Sequence, residues 1–177
     1  MTRVGILSDT HGRLSLAALG CLVECDHIIH AGDIGNPDIL TELQEYAPVT
    51  AVLGNNDYSQ DYNGAVRRFD QAVIEGVTFF VGHFPRDVRP EVVVRHAHGQ
   101  DVLAENGARG AQVCVHGHIH YPVLLRGNQA APAQLVVCPG SVSFPRMGFP
   151  ASVAYVEVCD GTVTDAWIES LDGKRLM

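Results

Sequence analysis

Ala111 to Tyr121 reads A-Q-V-C-V-H-G-H-I-H-Y: an apolar run, Val113-Cys114-Val115, that suits a buried strand, a break at Gly117, and then His118 and His120. Residues two apart in an extended chain project to the same side, so both imidazoles are expected to face one point. Neutral imidazole is the commonest metal ligand, and two on one face make half of a first-row metal site. Taken alone, the triplet fits a pair of solvated loop histidines equally well. The chain upstream separates the two readings.

Four more strand-like runs there end in ligand-type residues. Arg3 to Leu7 leads into Ser8-Asp9-Thr10-His11, His27 to His30 into Ala31-Gly32-Asp33, and Val49 to Leu53 into Gly54-Asn55-Asn56-Asp57. Helices are expected between them, one carrying Leu14, Leu16, Leu19, Leu22 and Val23, and one from Pro37 through about Tyr46 with Asn36 as its N-cap. This alternation is the signature of parallel strands with crossover helices, whose ligand sites lie beyond the carboxyl ends of the strands. From Gly64 the pattern changes. Arg67 to Ile74 and Val77 to Val81 read as a hairpin turning at Glu75-Gly76, and its second strand ends in Gly82-His83. Pro90 to Gly107 is expected to be helical, broken near Gly99. Tyr121 to Arg126, Gln134 to Cys138, Val153 to Cys159 and Val163 to Ile168 read as further strands, and residues 172–177 as a polar tail. With no repeat, low-complexity segment or linker, residues 1–177 read as a single α/β domain of two sheets packed face to face, with helices outside.

Composition narrows the function classes. A formal charge of -8 argues against stable nucleic-acid binding, which needs a basic stripe. No run approaches the roughly 18 apolar residues of a membrane span, and the start at Met1-Thr2-Arg3-Val4 goes straight into a strand without a signal-peptide pattern. Five cysteines, an odd number with no C-x-x-C pair, read as buried free thiols of a reducing compartment, so a cytoplasmic location is expected.

The series Asp9-x-His11, Gly32-Asp33, Gly54-Asn55-x-Asp57, Gly82-His83 and Gly117-His118-x-His120 resembles the calcineurin-like metallophosphoesterase superfamily. In so short a chain it is similar to the small bacterial and archaeal phosphodiesterases that share a fold with a retromer subunit. The resemblance runs from Val4 to about Arg146. It implies a four-layer sandwich of two mixed sheets flanked by helices, with two metals at the strand ends. Carried over by position, it implies Asp9, His11, Asp33 and His120 on one metal and Asp33, Asn55, His83 and His118 on the other, Asp33 bridging. This thiolate-free N/O set suits Mn foremost, with Zn, Fe, Ni or Co as alternatives, and is too imidazole-rich for calcium.

The implied chemistry is in-line attack on phosphorus by a hydroxide shared between the metals, with no protein nucleophile. Two divalent ions carry four positive charges against three negative ones from Asp9, Asp33 and the hydroxide, so the loaded site attracts phosphate even on an acidic chain. Two departures stand out. Many relatives follow the ligand asparagine with a histidine that protonates the leaving group, whereas this chain has Asn56, followed by Asp57. An amide supplies no proton, so general-acid help of about 10²–10⁴ is expected to be missing, which favours diesters or activated esters. Asn56 and Asp57 are accordingly placed at the leaving-group side or behind the ligands. Cys138 stands where close relatives carry asparagine before Pro-Gly-Ser, and no chemistry is assigned to the loop through Pro145-Arg146. Arg13 and Arg86, each just after a ligand, are candidate phosphate contacts, while His30, His96, His98 and His116 are read as structural or solvent-facing.

The expectation is a dinuclear phosphodiesterase acting on a small phosphate ester, without membrane partners and with homodimer or higher homo-oligomer formation left open. The alternatives are a nucleotide pyrophosphatase or phosphomonoesterase, and a non-catalytic interaction scaffold of the same fold.

Overall fold

A computed structural model describes residues 1–88 and 110–177. The helix expected between Pro90 and Gly107 lies outside the described residues. Two five-stranded mixed sheets face each other. The first has the order β10-β9-β1-β2-β3, built from β1 (Thr2–Leu7), β2 (His27–His30), β3 (Val49–Ala51), β9 (Ser152–Cys159) and β10 (Thr162–Ser170). In it β1, β2 and β3 run parallel, and β9 is antiparallel to both β1 and β10. The second has the order β4-β5-β6-β8-β7, from β4 (Phe69–Ile74), β5 (Val77–Gly82), β6 (Val113–Val115), β7 (Pro122–Arg126) and β8 (Leu135–Pro139). Here β5, β6 and β8 are parallel, and β4 and β7 are antiparallel edges.

The central strands are covered on both faces, which is why they read as unbroken apolar runs. Val4, Ile6 and Ile29 of the first sheet meet Phe79, Val81, Val113, Val115 and Val137 of the second in one buried layer. Helices α1 (Leu16–Gly20) and α2 (Asp38–Gln44) cover the outer face of the first sheet through Leu19, Leu22, Ile39 and Leu43 against Leu7 and Ile28. The second sheet's outer face carries α3 (Pro85–Val88), with Val88 packed beside Phe80, Cys114 and Val136.

Local chemistry trims the expected helices. Ser15 Oγ caps α1 by accepting from the Ala18 N–H at 3.1 Å, but beyond Gly20 the chain tightens into i→i+3 turns and stops. Asn36 does accept from the Asp38 N–H at 3.0 Å, yet Pro37 is the capping position, and α2 ends at Gln44 rather than near Tyr46. The Glu45 and Tyr46 N–H groups turn back to Glu42 and Leu43, two residues before Pro48 forbids continuation. The hairpin is as expected: Glu75 and Gly76 both have positive φ, at 50° and 78°, the geometry of a two-residue turn matched to strand twist.

The parallel strands of both sheets deliver their carboxyl ends to one rim. β1, β2 and β3 bring their metal-type residues from the first sheet, and β5 and β6 bring theirs from the second. The loops after β1 and β2 are stitched by Asp9 N–H to Gly32 O at 3.0 Å, His11 N–H to Asp33 O at 2.9 Å and Gly12 N–H to Ile34 O at 2.7 Å. Beneath them His30 is fully buried. Its Nδ1 accepts from the Gly32 N–H at 3.2 Å, so Nε2 carries the proton and donates to Thr10 Oγ1 at 2.9 Å; that hydroxyl in turn donates to Ile34 O at 2.9 Å.

Burial pushes the His30 imidazole down to about 4 from 6.5. The unfolded chain therefore takes this proton near 6.5, whereas the folded chain resists it until about 4. Stability from neutral His30 is full above the unfolded value and is lost as pH falls through that window, by up to roughly 3 kcal/mol. Urea unfolding of the metal-free protein at pH 7, 5.5 and 4.5 should show a larger loss for the wild type than for His30→Gln, and equal losses would contradict this account.

Candidate metal centre

Seven ligand-type side chains meet at the rim. Asp9, His11, Asp33 and His120 each offer one ligand atom, and these four atoms lie within 4.8 Å of one another. His120 Nε2 is 3.1 Å from Asp9 Oδ1 and 3.3 Å from His11 Nε2, and His11 Nε2 is 3.6 Å from Asp33 Oδ2. Beside this group, His83 Nε2 is 3.6 Å from Asp33 Oδ1 and 3.2 Å from Asn55 Oδ1, and His118 Nδ1 is 2.9 Å from the same Asn55 oxygen. Asp33 thus faces both groups, one oxygen toward each.

His118 and His120 do not share a point. The sequence argument assumed an extended chain, but both have left-handed backbones, with φ of 70° and 62°, and β6 has ended at Val115. His118 consequently turns to Asn55, and His120 to Asp9. Asp9, His11 and Asp33 are left-handed as well, with φ of 56°, 46° and 54°. Each such non-glycine residue costs about 1 kcal/mol, so the rim stores strain. Close approach adds a second demand. A Cβ on Gly54 would stand 2.1 Å from Asp33 Oδ1, and one on Gly117 1.9 Å from Ser8 Oγ, so only glycine admits the neighbouring chain at either place.

The tautomers disclose what the centre can hold. His120 Nδ1 donates to the Phe144 carbonyl at 2.7 Å, and His83 Nδ1 to the Ala31 carbonyl at 2.8 Å. In the neutral form of each ring Nε2 is therefore a bare lone pair aimed at carboxylate or amide oxygens that also only accept. Asp9 Oδ1 is buried with no hydrogen-bond partner. Its 3.1 Å approach to His120 Nε2 is favourable only with a cation, proton or metal, between them. The pair is drawn toward the ionised state. Burial works to raise the Asp9 carboxyl, but His120, Ser8 and His83 outweigh it and hold it below its ordinary range; contact with Asp9 lifts His120 above its own. Burial and the neighbouring His83 push His118 down, keeping it an unprotonated donor. Converging, buried, proton-poor N and O donors fit a divalent first-row metal.

Asn56, expected at the leaving-group side or behind the ligands, is turned inward. Its backbone N–H donates to Asp33 Oδ1 at 2.8 Å and its amide Nδ2 to Asp33 Oδ2 at 2.6 Å, so it holds the carboxylate shared by both groups. Asp57 ties the loops together, accepting from the N–H groups of Ile34 at 3.1 Å, Gly35 at 2.8 Å and Gly54 at 2.8 Å, and from the Tyr62 hydroxyl at 3.0 Å. Burial alone would raise the Asp57 carboxyl, but these four donors hold it below the usual range. Neither candidate arginine points alone at the rim. The Arg13 guanidinium lies 5.6 Å from the Phe144 ring centroid, and that of Arg86 lies 4.6 Å from the Phe84 ring with Asp87 at 3.9 Å.

The loop given no chemistry from the sequence turns out to frame the site. Ser141 Oγ donates to the Asp9 carbonyl at 2.9 Å and accepts from the Phe144 N–H at 2.9 Å, while the Arg146 N–H donates to the His120 carbonyl at 2.9 Å. The Pro139-Gly140-Ser141 turn was the only sequence signal of this role. Nothing in the residue types marked the Phe144 carbonyl as the group that orients His120.

Comparison with known proteins agrees with this fold. The calcineurin-like phosphoesterase superfamily domain matches residues 2–161. A probable metallophosphoesterase of Methanothermobacter thermautotrophicus is 32% identical over 170 residues, spanning 93% of this chain and 90% of that protein. Among solved structures, the phosphoesterase Yfce of E. coli superposes with a TM-score of 0.67 at 23% identity, covering 99% of this chain and 97% of that one. Wild type Vps29 of Entamoeba histolytica, complexed with zinc, gives 0.70 at 15% identity, covering 98% and 95%. At those identities the two structures speak for the fold.

If the Asp9–His120 approach is an unrelieved contact of acceptors, Asp9→Asn should relieve it by placing an amide donor against Nε2 while leaving an oxygen for the His118 N–H, now 3.1 Å from Oδ2. At pH values above the range in which His120 takes a proton, the metal-free variant is expected to gain about 1 kcal/mol, or some 2–4 °C in Tm. Wild type should gain more than the variant when Mn or Zn is added. Calorimetric melting with chelator and with metal checks both, and a less stable metal-free variant would count against the arrangement.

Proposed function

The chain belongs to the calcineurin-like phosphoesterase superfamily, and on that premise we propose that it is a dinuclear metal-dependent phosphodiesterase. Asp9, His11, Asp33 and His120 would hold one divalent ion, and Asp33, Asn55, His83 and His118 the other, with Mn foremost and Zn, Fe, Ni or Co as alternatives. The observation that carries the reading is the convergence of the His120 and His83 Nε2 lone pairs on Asp9 Oδ1 and Asp33 Oδ1, with His11 Nε2 3.6 Å from the other Asp33 oxygen. Bound ions would supply Lewis acidity toward phosphoryl oxygens and a water acidic enough to ionise near neutral pH.

The remaining roles fall to the chain itself. Asn56 orients the shared carboxylate, and the Phe144 and Ala31 carbonyls fix the ring tautomers. Because the Asn56 amide is engaged with Asp33, that position supplies no proton to a departing alkoxide, which favours esters with acidic leaving groups. The cations near His118 are partly neutralised, Arg68 and Arg86 both leaning on Asp87 at 3.3 and 3.9 Å. That balance suits the single charge of a diester better than the double charge of a monoester. None of the five cysteines is in a disulfide, and three are buried, which supports a cytoplasmic location. No helix among the described residues is long and apolar enough to cross a membrane.

Purified protein loaded with Mn, Zn, Ni or Fe should hydrolyse bis(p-nitrophenyl) phosphate faster than p-nitrophenyl phosphate, and chelation should abolish both activities. Asp33→Ala should cost more activity and more bound metal than His11→Ala, because Asp33 faces both groups and His11 only one. Specific metal binding without hydrolysis of either ester would favour the non-catalytic scaffold. Equal losses in the two variants, each keeping two metals, would remove Asp33 from the bridging role.

A further inference from the structure

Two phenylalanines flank the candidate centre, and they are not equivalent. Phe84 packs against His118 with ring centroids 4.6 Å apart, touches His83 edge-on at 5.2 Å, and is overlaid by the Arg86 guanidinium at 4.6 Å. It is only partly exposed, and it serves to hold the rings of His83 and His118. Phe144 is different. It sets its ring against His11 at 82° with centroids 5.3 Å apart, and 43% of the residue remains exposed. An open cavity of about 480 Å³ lies against it, lined by His11, His120, Phe144, Pro145 and Arg146. This recess starts at two of the candidate ligands and runs outward along an aromatic ring and a proline.

An exposed aromatic ring costs solvation free energy unless something covers it, and here it is fixed in place by the loop that also orients His120. Ser141 Oγ accepts from the Phe144 N–H at 2.9 Å, the Phe144 carbonyl takes the His120 Nδ1 proton at 2.7 Å, and Ser143 Oγ donates to the Arg13 carbonyl at 2.9 Å. The backbone on either side of the ring is therefore tied to residues of the centre. The Arg13 guanidinium lies 5.6 Å from the ring centroid, and Arg146 lines the cavity. A flat π-system can stack on a fixed ring and on guanidinium planes, whereas an alkyl chain gains only area.

We infer that the recess beside His11 and His120 receives a flat aromatic substituent of the phosphate ester, an aryl or nucleobase-type ring seated on Phe144 next to Arg146. The inference rests on the phosphoesterase reading, since it places the ester's phosphate at the candidate metals. It adds that selectivity comes from the His11 side of the cleft and not from the Phe84 side.

The test is a binding series on Mn-loaded protein by calorimetry, using dimethyl, methyl phenyl and methyl cyclohexyl phosphate, with hydrolysis of bis(p-nitrophenyl) phosphate followed in parallel. Exchange of one methyl for phenyl should tighten binding about tenfold, and exchange for cyclohexyl by clearly less. In Phe144→Ala the phenyl gain should shrink to about twofold, and in Phe144→Leu, which keeps bulk without a flat ring, it should be intermediate. Phe84→Leu should retain most of the phenyl gain. Hydrolysis by the wild type with no phenyl gain, or a gain unaltered in Phe144→Ala, would overturn the recess while leaving the phosphoesterase reading standing. A phenyl gain that depends on Phe144 in a protein hydrolysing no ester would uphold the recess and overturn the enzyme.

Discussion

Everything at the rim follows from where two protons are placed. The Phe144 carbonyl takes one from His120 Nδ1, and the Ala31 carbonyl takes the other from His83 Nδ1. Once those hydrogen bonds form, the opposite nitrogens of the neutral rings have nothing to donate, and they look at oxygens of Asp9, Asp33 and Asn55, which only accept. In an ordinary interior this would be a defect, since buried acceptors are normally matched to donors. Here it recurs twice within one cluster and is supported by residues whose own polar groups are fully used. A repeated, braced mismatch of the same sign is what a cation site looks like before the cation is considered.

The fold concentrates its local irregularities at the same place. Asp9, His11, Asp33, His118 and His120 all occupy the left-handed region, although none is glycine. Strain of this kind persists only where surrounding bonds over-determine the chain. Those bonds are identifiable: the ladder between the loops after β1 and β2, the buried relay from Gly32 through His30 and Thr10 to Ile34, and the Asp57 carboxylate gathering three backbone N–H groups and a phenol. The two facing sheets provide the stiffness, because Val4 and Ile6 of β1 share one buried layer with Phe79 and Val81 of β5. Side chains from separate sheets can then hold fixed separations of 3 to 4 Å across the rim.

Much of this could be read from the sequence because it is carried by residue type at strand ends. Apolar runs located β1, β2, β3, β5 and β6 to within a residue or two, and the polar residues following each run were the ones that converge. What could not be read was direction. Period-two reasoning sent His118 and His120 to one point, but it applies to extended chain, and positive φ at both residues turns them apart. Asn56 was judged by what it lacks, a titratable proton, and its two hydrogen bonds to Asp33 depend on a loop conformation that composition does not encode. The loop from Ser141 to Arg146 acts largely through backbone groups, which every residue possesses, so no side-chain pattern could announce it.

That last point bears on how such a centre can select its ligand. The residues facing a metal are constrained in chemistry, geometry and tautomer, and substitution among them is costly. A residue that contributes only its carbonyl is free in its side chain. Phe144 holds His120 through backbone oxygen while its ring lines the open recess, so the ring can be exchanged without disturbing the hydrogen bond that orients the histidine. Phe84 has less such freedom, because its ring is packed on both His83 and His118, whereas the Phe144 ring meets only His11 among the candidate ligands. The two sides of the cleft therefore divide the work: one stabilises ligand geometry through side-chain packing, and the other reaches the same end through the main chain, leaving its side chain available for recognition. Selectivity on this scaffold should change most readily at position 144, where a new side chain meets the substrate before it meets the metal centre.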